Sequence, residues 1–216
     1  MIPDITPSAA DFEMSEAKLH PAKLTQGILA TELTTRHGFR FHVRPAEPQD
    51  ETALADLFAH LSPEDLRYRF LSPLKKVGPD ILAMMAHVDH QRTENLLAFD
   101  SSNGRLIANA MLAAPVGTDT AEVALAAHRD YKHQGVSWTL LQHVMQVARA
   151  KGIKKLQSIE DRGHKDAIAL EREIGFVAKS YPGDATLTLL EADLQAIPTL
   201  SLPPLSLSPE TAPKPL

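Results

Sequence analysis

Between Ala121 and Ile153 the chain changes its hydrophobic period. Val123, Leu125 and Ala127 alternate with Glu122, Ala124 and Ala126, the two-residue period of a strand with distinct faces. Val136, Leu140, Leu141, Val144, Met145 and Ala148 then recur as one apolar stripe, which predicts a helix over 136–151 closed by Gly152. Between them lies Lys132-His133-Gln134-Gly135-Val136-Ser137, a basic turn carrying a glycine. Such a turn aims unpaired backbone N–H groups and the positive end of a helix dipole at one point, which suits an anion.

The same two periods parse the rest of the middle of the chain. Residues 39–43 read as an opening strand ended by Arg44-Pro45. Residues 50–61 read as a helix with Leu54, Leu57, Phe58 and Leu61 on one face. Ser62-Pro63-Glu64-Asp65 is a helix start, with Ser62 as N-cap, Pro63 in the first turn and acids near the N-terminus. A short helix follows at 79–88. Segments 95–99 and 106–113 form a hairpin through Asn103-Gly104, a strong turn signal. Beyond the helix at 136–151 come a strand at 155–159, a helix at 166–174 stopped by Gly175-Phe176, and a strand at 186–190. Residues 1–38 lack sustained periodicity and read as a loosely ordered extension. A single α/β (α+β) domain is expected over 39–195. Six prolines between Ile197 and Leu216 make 196–216 a proline-rich tail that cannot continue a helix or central strand.

Composition narrows the function. With 216 residues the chain holds one ordinary domain, and 44% apolar content suffices for a core. Twenty-seven acidic against 22 basic residues, a net charge of −5, argue against a nucleic-acid binder. The chain has no cysteine, so disulfides, thiolate metal sites and a cysteine nucleophile are excluded. No apolar run approaches the roughly 20 residues of a membrane helix. Asp4, Asp11, Glu13 and Glu16 precede any basic cluster, unlike a secretory signal. A cytoplasmic protein is the expected reading. Among ten histidines, His87 and His90 flank Asp89 without a third clustered ligand or an HExxH spacing, so no metal site is expected. There is no G-x-S-x-G elbow for a serine hydrolase.

The order strand, Lys132 to Ser137, helix resembles the acyl-CoA loop of the GNAT (Gcn5-related) N-acetyltransferases, which reads Gln or Arg, two residues, Gly, one residue, then Gly or Ala. This chain keeps Gly135, places Lys132 first, and departs at Ser137 and at bulky Trp138. Ile174-Gly175-Phe176 is similar to the family's closing Leu-Gly-Phe, and Arg44-Pro45 with Asp50 to its opening motif. Ser62-Pro63-Glu64-Asp65, then Arg67, Tyr68, Arg69 and Phe70, with Val88-Asp89-His90-Gln91-Arg92 further on, resembles bacterial Pat-type protein lysine acetyltransferases. The resemblance spans about residues 40 to 192. It implies a GNAT fold: a mixed, mostly antiparallel twisted sheet of six to seven strands flanked by about four helices.

The resemblance also implies a chemistry. Acetyl-CoA would be the co-substrate and an amine the acceptor, with a protein lysine the expected one. No nucleic acid or membrane would be a partner, and a homodimer is left open. A lysine amine has an unperturbed pKa near 10.4, so the reaction needs a base and a polarising contact for the thioester. Glu122 stands where Pat-type enzymes carry a catalytic glutamate. Its neighbours Ala124 and Ala126 leave room for substrate, and an apolar face would raise its pKa. Leu125, Ala126 and Ala127 would pair with the pantetheine arm. Lys132, His133, Gln134, Gly135, Val136, Ser137 and Trp138 would surround the pyrophosphate. His164 stands where the family commonly has a cofactor-side asparagine. The tyrosine that many members use to protonate the leaving thiolate is replaced by Glu171. The departures at Ser137, Trp138 and His164 favour an alternative: a weakened acyl-CoA sensor or partner-binding module.

Overall fold

The computed structural model describes residues 29–197. Eight strands form one sheet: β1 (Thr31–Thr34), β2 (Arg40–Pro45), β3 (Thr93–Asp100), β4 (Leu106–Ala113), β5 (Thr120–Ala127), β6 (Lys155–Asp161), β7 (Val177–Ser180) and β8 (Leu187–Asp193). Their spatial order is β1-β2-β3-β4-β5-β6-β8-β7. Every neighbouring pair is antiparallel except β5 and β6, which run parallel. Among the described residues there are five α-helices: α1 (Glu51–Ala59), α2 (Pro63–Phe70), α3 (Pro79–Ala86), α4 (Val136–Ala150) and α5 (Lys165–Ile174). None of them is long and apolar enough to cross a membrane.

The helices cover both faces of the sheet. On one face Leu140, Leu141 and Val144 of α4 and Ile174 of α5 bury against Val43, Leu96, Ala110, Val123, Leu156 and Leu190. On the other, Leu54, Leu57 and Phe58 of α1, Leu66 of α2 and Met85 of α3 bury against Leu97 and Ala126. The alternation read along β5 holds: Val123 belongs to the first cluster and Ala126 to the second. At roughly 25 cal/mol per Å² of apolar surface removed from water, these layers are the main source of stability.

Local chemistry sets the helix starts. Ser62 is the N-cap read from the sequence: it accepts the Asp65 N–H at 3.1 Å while the Asp65 carboxylate accepts the Ser62 N–H at 3.2 Å, which makes the cap reciprocal. Before α1, Arg44 donates two 2.7 Å hydrogen bonds to Asp50, which also accepts the Glu47 N–H. Burial alone would push the Asp50 carboxyl up; those three donors outweigh it and hold it below the usual range. Gly175, at φ 119° in the left-handed region, ends α5 as predicted.

Two strands go beyond the six read from the sequence pattern. Residues 31–34, read as part of a loose extension, form β1 and pair with Arg40–Val43. The strand β7, Val177–Ser180, pairs with β8 at the other edge. Both are four-residue strands, too short for a period to show. The proline-rich tail from residue 198 and residues 1–28 lie outside the described residues.

Candidate active site

The parallel pair β5–β6 is paired only over Thr120↔Lys155, Ala121↔Leu156 and Glu122↔Gln157. Beyond that point β5 stays bonded to β4 as far as Ala127, and β6 stays bonded to β8 as far as Asp161. The strands therefore part, leaving a wedge whose apex is at Glu122 and Gln157. On the β5 lip, the edge of Val123–Ala127 that turns from β4 has no strand partner among the described residues, so its amides and carbonyls can pair with an extended ligand.

After Ala127 the chain makes a 3-10 turn at Arg129–Tyr131 and then enters the glycine turn. His133 (φ 61°) and Gly135 (φ 82°) both take left-handed conformations, which fold the backbone tightly ahead of α4. Gly135 is the N-cap of α4 and supplies no side-chain cap. The first backbone bond of the helix is Thr139 N–H to the Gly135 carbonyl, and no backbone carbonyl among the described residues accepts from the amides of Gln134 to Trp138. Free amides at a helix start are the arrangement that suits an anion. The site residues Leu125, Ala126, Ala127, His133, Gln134, Gly135, Val136 and Ser137 are thus contiguous along one lip, with Glu122 at the apex.

Three predicted cofactor residues are engaged elsewhere in the fold. Lys132 donates to both Asp65 carboxylate oxygens at 2.7 and 2.8 Å, tying the turn to α2. Burial pushes the Asp65 carboxyl up, but hydrogen bonds from Lys132 and Ser62 outweigh it and bring the net direction down. Trp138 lies under the Arg36 guanidinium, 3.6 Å from the ring centroid, and Arg36 bridges on to Glu173 at 3.0 Å. His164 stands on the opposite lip, stacked on Tyr68 at 4.3 Å, its Nδ1 2.6 Å from Glu160. Gly135 also answers to a neighbour the sequence did not suggest: a Cβ there would lie 3.3 Å from Cβ of Thr35 in the β1–β2 turn.

Helix α2 spans the wedge. Asp65 holds the β5-side turn through Lys132. Arg67 holds the β6 lip through Asp161 at 2.5 Å, and Tyr68 stacks on His164. Beneath this strap Arg69 is partly buried, with its Nε enclosed and without a hydrogen-bond partner. Desolvation lowers its pKa to about 10, opposed by the charges of Glu122 and Glu160. Glu122 itself is exposed, in place of the apolar surroundings anticipated for it. Its carboxylate therefore lies at the open face of the wedge.

The β6 lip carries a group the sequence reading gave no role. Glu171 of α5, 4% exposed, accepts the Ser158 hydroxyl and lies against Glu160, carboxyl to carboxyl. Burial and the adjacent Glu160 charge push Glu171 up to about 8, and the Ser158 bond only partly counters them. The available signal was the polar residues Ser158 and Glu160 on the same face of β6 as Leu156, where a wholly buried strand would carry further apolar residues.

This architecture, a sheet parting at its one parallel pair above an uncapped helix start, is that of an N-acetyltransferase. The acetyltransferase (GNAT) family model matches residues 56–176, more than half of the chain, and the chain belongs to that family. A curated acetyltransferase of Pseudomonas aeruginosa is 26% identical over 146 residues, covering 67% of this chain and 78% of its own length. The GNAT domain of S. lividans PAT has the same fold, with a TM-score of 0.71 and 24% identity over 76% of this chain and 97% of that domain. A spermidine N-acetyltransferase from Vibrio cholerae, solved with CoA and spermine, shares the fold at a TM-score of 0.60 and 16% identity, over 72% of this chain and 96% of that one.

Proposed function

We propose that this protein transfers the acetyl group of acetyl-CoA to a primary amine, with a protein lysine as acceptor, by direct attack while both substrates are bound. The observation that carries the reading is the wedge itself: β5–β6 pairing stops at Glu122, and β5 then leads to an uncapped helix start. Acetyl-CoA supplies an activated acetyl thioester. The free edge of Leu125 to Ala127 holds its pantetheine amides, and the amides of Gln134 to Trp138 receive its pyrophosphate. Glu122, at the apex and exposed, takes the proton from the incoming ammonium, directly or through one water, so that the free amine can attack. Ala124 and Ala126 share its strand face and leave room for the acceptor.

A second reading, a catalytically weakened acyl-CoA sensor, draws on Lys132 being held by Asp65 and Trp138 being capped by Arg36. Two measurements separate them. Calorimetry and thermal shift should show acetyl-CoA and CoA binding and raising the melting temperature, with little effect of NAD or ATP, because a ligand of the folded state adds RT ln(1 + [L]/Kd). CoA release should then depend on added lysine-containing peptide, with the acetyl group found on lysine Nζ by mass spectrometry. Binding without turnover selects the sensor; no shift at millimolar acetyl-CoA ends both.

A further inference from the structure

We propose that Glu171 gives the proton to the departing CoA sulfur, and that Glu160 and His164 form the route by which that proton is replaced. The proposal rests on the acetyltransferase reading above and adds the acid that the reading lacks.

Position comes first. Ser158 and Glu160 are the first two residues on the α5 face of β6 beyond Gln157, the last residue paired with β5. The carboxyl of Glu171 sits on both of them. A thioester threaded between the parting strands would bring its sulfur to this apex, with Glu122 on the opposite face of the sheet. The two carboxyl groups thus stand in different surroundings, Glu122 exposed and Glu171 enclosed. Different surroundings suit different roles, a base on the open side and an acid on the dry side.

Chemistry comes second. A buried carboxyl beside another carboxylate favours its neutral form, because two like charges in a dry site repel. Glu171 is raised to about 8 by burial first and by Glu160 second. A thiol of ordinary pKa near 8.5 is closely matched by such an acid, which is the condition for efficient proton transfer. Glu160 connects to His164 Nδ1 at 2.6 Å, and His164 reaches the partly exposed edge under Tyr68. The charged and titratable groups facing the pair are Glu160 on β6, His164 in the turn before α5, and Arg69 of α2, whose charge acts on Glu160.

The step balances. The amine nitrogen forms a bond to the acetyl carbonyl carbon, and the carbon–sulfur bond breaks with its electron pair on sulfur. The Glu171 O–H proton moves to sulfur and yields the free thiol. Glu122 takes both protons that the nitrogen loses and passes them to solvent, one from the ammonium before attack and one from the adduct nitrogen as the amide forms. Solvent returns one to Glu171 through His164 and Glu160, so one proton is released overall.

The test is steady-state kinetics of the full chain from pH 6 to 9.5, with acetyl-CoA affinity measured by calorimetry in parallel. The parent should lose kcat above about pH 8. Glu171→Gln keeps the volume and the contact with Ser158. It should bind acetyl-CoA as the parent does, lose about 10²-fold in kcat, and lose the alkaline limb. Glu160→Gln removes the neighbouring charge and should move that limb to lower pH at unchanged affinity, a shift that a merely structural role for the pair would not produce. Unchanged kcat in Glu171→Gln, or an alkaline limb that persists in it, overturns the proposal while leaving the acetyltransferase reading intact. Absence of acetyl-CoA binding or turnover in the parent overturns both. Should Glu171→Gln fail to fold, an unmoved limb in Glu160→Gln is sufficient to reject the proposal.

Discussion

The two lips of the wedge are edges of parallel strands, yet they are built from different stretches of chain. The β5 lip is local. Its strand, its glycine turn and its helix follow one another within Thr120–Ala150, and each element declares itself by its own period. The β6 lip gathers its ionisable groups within 158–171 and is tied down from a distance. Ser158, Glu160, His164 and Glu171 meet there through strand and helix, and Arg67 of α2 joins Asp161 across a separation of 94 residues. The β5 lip offers backbone groups; the β6 lip offers ionisable side chains. In the proposals above one lip holds a ligand and the other moves protons, and four experiments test that division.

The largest effect is expected at the apex between them. Glu122→Gln should lower turnover by roughly 10²–10⁴, the usual worth of general-base catalysis, with acetyl-CoA affinity nearly unchanged. The residual rate should recover as pH rises, because solvent then supplies more free amine. Equal turnover in variant and parent, measured with a verified acceptor, would remove Glu122 from the mechanism and leave the proton chemistry to the β6 lip alone.

Next is the hinge of the β5 lip. Gly135 at φ 82° is in a region that a β-branched residue rarely enters, and its Cβ would be 3.3 Å from Thr35. Gly135→Val should cost roughly 1–3 kcal/mol of folding stability by backbone strain alone and also weaken acetyl-CoA binding. Denaturant unfolding and calorimetry read the two effects separately. A variant as stable as the parent would mean that the turn does not hold its left-handed geometry.

How much of this was legible follows from the same contrast. The capping box at Ser62 and Asp65, the alternation of β5 and the stripe of α4 are short-range patterns, and all appear in the fold. Short edge strands carry too few residues for a period, so β1 and β7 did not show. Lys132 read as a cation free for phosphate because nothing near it in the chain is acidic enough to claim it but Asp130; its partner Asp65 comes from α2, 67 residues away. Arg69 lay inside a motif, but burial against Glu122 and Glu160 is a tertiary fact. Glu171 read as a missing tyrosine, and only its burial, with Glu160 beside it, gives it an acid's surroundings.

An oppositely signed pair of effects concerns the pH dependence of stability. His143, on α4 behind the β5 lip, is buried with neither ring nitrogen hydrogen-bonded, and burial lowers it to about 4. The unfolded chain takes up a proton near pH 6.5 that the folded protein refuses until about pH 4, so stability falls as pH drops through that window. Glu171 behaves inversely. The folded protein keeps until about pH 8 a proton that the unfolded chain releases near 4.5, so stability falls as pH rises between those values. His143→Leu should flatten the acid slope and Glu171→Gln the alkaline one, each worth up to roughly 1.4 kcal/mol per pH unit. Melting temperatures from pH 4 to 9 check both. An acid slope that survives in His143→Leu would assign it to other groups.

The smallest effect tests whether Lys132 belongs to the β5 lip or to the strap across it. The ion pair with Asp65 joins a 40% exposed lysine side chain to a 16% exposed carboxylate. Such a pair is worth about 0.2–1 kcal/mol, weakened by salt. Lys132→Ala should therefore lower stability by no more than about 1 kcal/mol, since Asp65 keeps its bonds with Ser62. Asp65→Asn retains much of that cap while releasing the lysine beside five free amides. If the lysine then turns to the pyrophosphate, acetyl-CoA should bind a few-fold more tightly, and more steeply so at low ionic strength. Unchanged affinity in both variants would make Lys132 a strap residue only, and the lip would hold its anion by backbone alone.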